Sequence, residues 1–207
     1  MSSSFSVIVV ALLYGCCAFL AIRFVSSLCD KIVPFDDGPE PGRPPTGALI
    51  VGAVVVGGVL ASRGLAVPAL GIFGILIVSL VACWYSDVRC GIVPDYFTLA
   101  PLAVVLAVSL AGHDGAPIVS AAIVFVPFAI AAFFSKGRGM GWGDVKIIAL
   151  GAAVLGLNMS IVAFATACLA AVAIAAVRRR RAEPIAFAPY LAASIALAIA
   201  LPLPALR

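Results

Sequence analysis

Residues 65–86 run for 22 positions without one charged side chain, and that stretch restricts the possible folds more than any other part of the chain. A helix needs about 20 predominantly apolar residues, roughly 17 to 25, to cross the hydrocarbon of a bilayer. Apolar runs of similar length cover 6–28, 116–135 and 185–203, and shorter uncharged ones cover 47–62 and 96–111. Of the 207 residues, 64% are hydrophobic and 11% charged, whereas soluble domains carry about 25% charged residues. At a mean hydropathy of +1.24, a water-soluble fold has too little interior to hide so much apolar surface. The expected fold class is all-α integral membrane: a polytopic helical bundle with the lipid bilayer as its partner.

The run 145–177 is too long for one span, since its residues would make a helix of about 50 Å at 1.5 Å per residue. Gly156-Leu157-Asn158 offers a break between two short helices. That predicts about eight hydrophobic segments and six to eight spans. The sixth segment, 145–157, is too short to cross comfortably unless protein surrounds it. The first 24 residues lack a basic n-region and a small-residue cleavage site, so they read as a membrane helix that stays. Residues 1–64 are expected to form the N-terminal membrane helices with a short cytoplasmic loop, and 65–207 a separate membrane domain. No internal repeat is visible. The polar stretch "CDKIVPFDDGPEPGRPPTG" is too short and too poor in hydrophobes to fold by itself.

Charge sets an expected orientation. With the N-terminus outside, one set of loops holds Lys31, Arg43, Arg89, Lys136, Arg138 and the four arginines 178–181. The other holds Arg63, His113 with Asp114, a turn at Asn158, and Arg207. Lysine and arginine favour the cytoplasmic side, so the first set should face the cytoplasm. The net charge of +4 is not arranged as a groove-lining stripe with aromatics, so no nucleic acid is expected as a partner. The six cysteines show no CxxC spacing, which indicates neither a zinc knuckle nor a disulfide framework. Small apolar helix residues is the better description of most of them.

Two carboxylates stand out at the ends of apolar runs on the cytoplasmic side. Asp87 closes one in "CWYSDVRCGIVPDYF", and Asp144 opens one in "GMGWGDVKIIAL". A charge beside the hydrocarbon is costly and calls for a reason. Two such aspartates on separate helices suggest a dyad that shares one proton, since two close like charges cannot both ionise. The ionised member would take a proton from water while the protonated member donates to a peptide carbonyl. The simpler reading is that each aspartate caps a helix, with Asp144 as an N-cap. Gly139, Gly141 and Gly143 weigh against a plain cap, because glycine permits positive φ and the close approach of another chain.

Other chemistries fit poorly. The glycine run 137–141 has no preceding strand for a phosphate-binding loop. A zinc protease of the HExxH type needs two histidines, and a serine triad needs one near the aspartates; the chain has only His113, in the opposite set of loops. No metal is expected. Asp95, after Pro94, is the rival carboxylate to Asp87, and its turn position favours a structural role. Lys146 and Arg89 each follow their aspartate by two residues, a spacing that shares no helix face. Lys146 could snorkel to the headgroups or meet a substrate.

At these residues the chain resembles the type IV prepilin peptidases, membrane aspartic proteases with a G-x-G-D signature. Three blocks carry the resemblance in the family's order. The first is Asp87 followed by Ile92-Val93-Pro94-Asp95, and the second is Gly139-Met140-Gly141-Trp142-Gly143-Asp144-Val145-Lys146. The third, Ile185-Ala186-Phe187-Ala188-Pro189-Tyr190-Leu191-Ala192, is similar to the family's I-P-F-G-P-[FY]-L-A, with alanines at its first proline and its glycine.

The resemblance implies a peptidase at the cytoplasmic face of a bacterial inner membrane that removes leaders from prepilin or pseudopilin substrates after a glycine. Carried over by position, Asp87 and Asp144 are catalytic, and Gly141, Gly143, Lys146 and Pro94 bind substrate or shape the loops. No cofactor is implied. Larger members carry paired CxxC motifs after the first helix and also N-methylate the new pilin terminus. The loop 30–46 has no cysteine, which argues against methyltransferase activity and makes the chain similar to the short peptidases of Flp/Tad-type pilus systems. Three other readings stand beside it. An ion- or proton-coupled transporter would place its acids near mid-membrane. An inactive structural subunit of a pilus or secretion machine would not need both aspartates. A presenilin-like intramembrane protease shares the glycine-aspartate element but not the Val93-Pro94-Asp95 and Pro189-Tyr190 blocks.

Overall fold

A backbone passing through hydrocarbon must satisfy its own N–H and C=O groups, and a helix does so within one segment. That need outweighs the modest helix propensity of the valines and isoleucines that fill this chain. The computed structural model describes residues 3–32, 44–134, 141–178 and 186–201. Their order is α1 (Ser3–Ile32), α2 (Thr46–Ser62), α3 (Val67–Cys90), a 3₁₀ turn (Asp95–Phe97), α4 (Leu99–Ala111), α5 (Ala116–Phe134), α6 (Trp142–Arg178) and α7 (Ala188–Ala200). No strand occurs among the described residues.

Four helices are long and apolar enough to cross a membrane: Ser4–Lys31, Val67–Cys90, Ala116–Phe134 and Trp142–Val177. The helices at Thr46–Ser62, Asp95–Ala111 and Ala188–Ala200 are apolar but shorter. Of the six to eight spans expected, these four meet the length requirement by themselves. Large apolar side chains such as Leu20, Val67, Phe134, Leu169 and Val177 lie on the outside, where water would not tolerate so many. The prolines and acids of 33–43, the glycines 137 and 139, and the arginines 179–181 lie outside the described residues.

The chain divides after Ile92 into two compact units. The first holds α1, α2 and α3. Tyr14 of α1 lies so close to α2 that a Cβ on Gly57 would sit 2.7 Å from its ring, and its hydroxyl donates to the Leu70 carbonyl of α3. Small residues that let helices approach are the usual means of association where lipid removes the hydrophobic drive. Ala18, Val25, Leu60 and Leu76 fill the space between. α3 ends at Gly91, whose left-handed φ of 66° lets its N–H cap the Asp87 carbonyl at 3.0 Å.

The second unit is organised around α6, which packs against α4, α5 and α7. Its first half is enclosed by protein, with Val145, Ile147, Ile148, Leu150 and Ala152 all buried. A Cβ on Gly151 would lie 2.7 Å from Ile195 Cδ1 of α7, and Phe128 of α5 meets Phe164 edge-on at 6.3 Å. The expected break is present, but its form differs from a turn at Asn158. Two helical segments meet at Gly156, which adopts φ 73° and ψ 171°, while Asn158 is already helical and exposed. That conformation is open essentially only to glycine.

Gly156→Ala should therefore destabilise the second unit by about 1–3 kcal/mol. Thermal unfolding in detergent, followed by circular dichroism, should show a lower midpoint. An unchanged midpoint would mean that α6 can straighten at no cost.

Candidate functional site

Asp87 stands in the last turn of α3 and is half-buried. Pro94, with φ −68° and ψ 134°, leads into the 3₁₀ turn. Thr98 is fully buried and closes that turn, donating its hydroxyl to the Asp95 carbonyl at 3.2 Å.

Asp144 stands in the first turn of α6, where the helix already begins at Trp142. It is not the N-cap expected from the sequence, because Gly141 occupies the boundary and its carbonyl accepts the Val145 N–H at 3.3 Å. A third-position carboxylate reaches back toward the helix start, as in a capping box. Accordingly, Asp144 Oδ2 lies 3.5 Å from the place a Cβ on Gly141 would take. The carboxylate is half-buried. Nothing in the surroundings of Gly141 explains the glycine there.

Gly143 is explained, though not by its φ. It lies inside the helix, and the left-handed glycines among the described residues are Gly64, Gly91 and Gly156. Its reason is proximity: an added Cβ would fall 2.7 Å from Val93 Cβ and 2.8 Å from Val93 Cγ2. The segment that leads to Pro94 therefore rests directly on the start of α6. Lys146 strengthens the same junction, since its ammonium pairs with the Asp95 carboxylate. This pair is the contact that the structure gives to both Lys146 and Asp95. Because the Asp95 carboxylate is 60% exposed, the pair adds little stability, within about 1 kcal/mol. Its value is geometric.

Arg89 reaches Asp30 at the end of α1, 2.7 Å away, and the Tyr85 hydroxyl at 3.2 Å. His113 is exposed in the α4–α5 loop with a positive φ of 55°. Sequence reasoning missed one approach altogether: Cys29 of α1 and Cys90 of α3 bring their sulfurs to 2.6 Å. Their 61-residue separation carries no local signal. Among the described residues no three His, Cys, Asp or Glu side chains gather as a metal site.

The sequence pattern of the type IV leader peptidase family matches residues 74–176. The chain belongs to that family. The match includes Asp87, the Val93-Pro94-Asp95 turn, and Gly141 through Lys146, so the residues of the first two sequence blocks all lie inside it. A leader peptidase of this family is a membrane protease, and the long apolar helices agree with that setting. No curated protein and no solved structure matches the chain.

The Gly143–Val93 approach makes a steric prediction. Gly143→Ala should lower the thermal midpoint in detergent by the equivalent of about 1–3 kcal/mol, the usual cost of overpacking. Adding Val93→Gly should recover much of the loss. A Gly143→Ala protein as stable as the parent would show that the turn does not bear on the helix.

Proposed function

We propose that the chain is an aspartic endopeptidase that removes the leader from type IV prepilin-like proteins, with Asp87 and Asp144 as its two catalytic carboxylates. The supporting observation is that the leader-peptidase pattern spans both aspartates, each half-buried at the end of an apolar helix. A carboxylate at a helix end lies beside the hydrocarbon yet within reach of water, which hydrolysis consumes and mid-bilayer lacks.

The helix ends support a division of roles. Asp144 sits where unpaired N–H groups of α6 favour an anion, and Asp87 where the carbonyl end of α3 does not. Asp144 is thus the base that takes a proton from the attacking water. Asp87 is the acid that donates to the carbonyl oxygen of the scissile bond as the tetrahedral intermediate forms. The proton balance is restored when the amine leaves. Gly143 and Lys146 serve this chemistry by holding the Val93–Asp95 turn against the base-bearing helix, and Pro94 gives that turn its shape.

The basic loops support one side of the membrane for this chemistry. With lysine and arginine concentrated in the loops that adjoin Asp87 and Asp144, the site opens to the cytoplasm of a bacterium, in its inner membrane. A prepilin-like substrate keeps its charged leader on that side while its apolar stem enters the bilayer, so the cut falls where the two media meet. The cysteine-free loop after α1 marks the chain as a short peptidase of the Flp/Tad kind, without methyltransferase activity.

Co-expression with prepilins of the same genome, scored by the gel shift of leader removal, tests this directly. Asp87→Asn and Asp144→Asn should each reduce cleavage by about 10²-fold or more, the scale of one acid or base, at unchanged membrane levels. Asp95→Asn should retain most activity. Full cleavage by either of the first two would sink the assignment. Orientation has its own test, with single cysteines placed at 113 or 137 in a chain lacking native cysteines. An impermeant thiol reagent should label the first in intact cells and the second only after permeabilisation; the reverse pattern would place the site on the wrong face.

A further inference from the structure

We infer that Cys29 and Cys90 form a dithiol that closes to a disulfide by exchange with a small disulfide such as oxidised glutathione. The inference stands on the first unit alone and does not depend on the peptidase reading. The two sulfurs lie 2.6 Å apart, only about 0.5 Å beyond the length of the bond itself. Closure therefore asks for a small side-chain adjustment and no rearrangement of the helices. The neighbouring contact holds the same register, because Asp30 and Arg89 pair beside the sulfurs at 2.7 Å. Residues 29–30 and 89–90 thus form two successive ties between the ends of α1 and α3.

The surroundings give the order of events. Cys29 is buried and Cys90 only half-buried, so a small disulfide in solution reaches Cys90 first. The Cys90 thiolate attacks one sulfur of the reagent, whose S–S bond breaks, and one small thiol leaves. Cys29 then attacks the Cys90 sulfur of the mixed disulfide and expels the second small thiol. Two protein S–H bonds and one S–S bond are exchanged for one protein S–S bond and two small thiols. A reducing compartment keeps the pair open, and a shift toward small-molecule disulfide closes it. Cys90 lies three residues after Asp87, on the same side of the last turn of α3, so the staple fixes the backbone that carries that carboxylate.

The test uses the full chain in detergent. After exposure to oxidised glutathione, free thiols are blocked with N-ethylmaleimide, and the protein is digested and mapped by mass spectrometry. The expected product is one cross-linked peptide joining Cys29 to Cys90 within a single chain, lost on reduction, in most molecules. In Cys29→Ala, Cys90 should instead hold a stable mixed disulfide with glutathione. Maleimide on both residues of the parent overturns the inference, as does a separate glutathione on each, or a pairing of either with another cysteine. An unmodified Cys90 in the Cys29→Ala variant overturns the proposed order of attack.

Discussion

In this chain the backbone's own hydrogen bonds decide almost everything else. Lipid offers a peptide group no partner, so each apolar segment must close its bonds internally. Once that is met, the interior has little left to organise it except shape. Helices attract one another no more than they attract acyl chains, and association depends on how closely their surfaces fit. This explains why the informative positions are the smallest residues. Gly57 under the Tyr14 ring, Gly151 under Ile195 and Gly143 under Val93 are all places where one added carbon would fall under 3 Å from a neighbour.

Much of the architecture was readable in advance because hydrophobic runs and charge are local signals. The runs 65–86 and 116–135 became α3 and α5 with shifts of a few residues at most, and the excess length of 145–177 pointed to a break that does occur. What the sequence could not convey was how a residue is used. Glycine before Asp144 suggested backbone freedom, but Gly143 is helical and serves an approach from Val93, fifty residues earlier. Asp144 looked like a cap, but the helix starts two residues sooner, at Trp142. These errors share a cause: helix starts and steric demand are set by a distant segment, and no spacing rule reports distant contacts.

The same reasoning applies to the polar groups. Lys146 and Arg89 sit at matching offsets from the two aspartates, yet each turns to a different acid, Asp95 or Asp30. Each pair ties two segments of its own unit together.

The enclosed first half of α6 has a consequence for how the chain is made. Segments leave the ribosome in order, and a helix that faces lipid can settle as soon as it emerges. The stretch from Trp142 to Gly156 cannot, because its surface is shaped for protein and part of its cover is Ile195 in α7. Until α7 has been synthesised, this stretch waits with a face matched to nothing around it, and the acid it carries waits with it. The packing of this stretch is thus completed only when translation has passed the last of the described helices, so an interrupted product holds the aspartate but not the full cover of the helix that carries it.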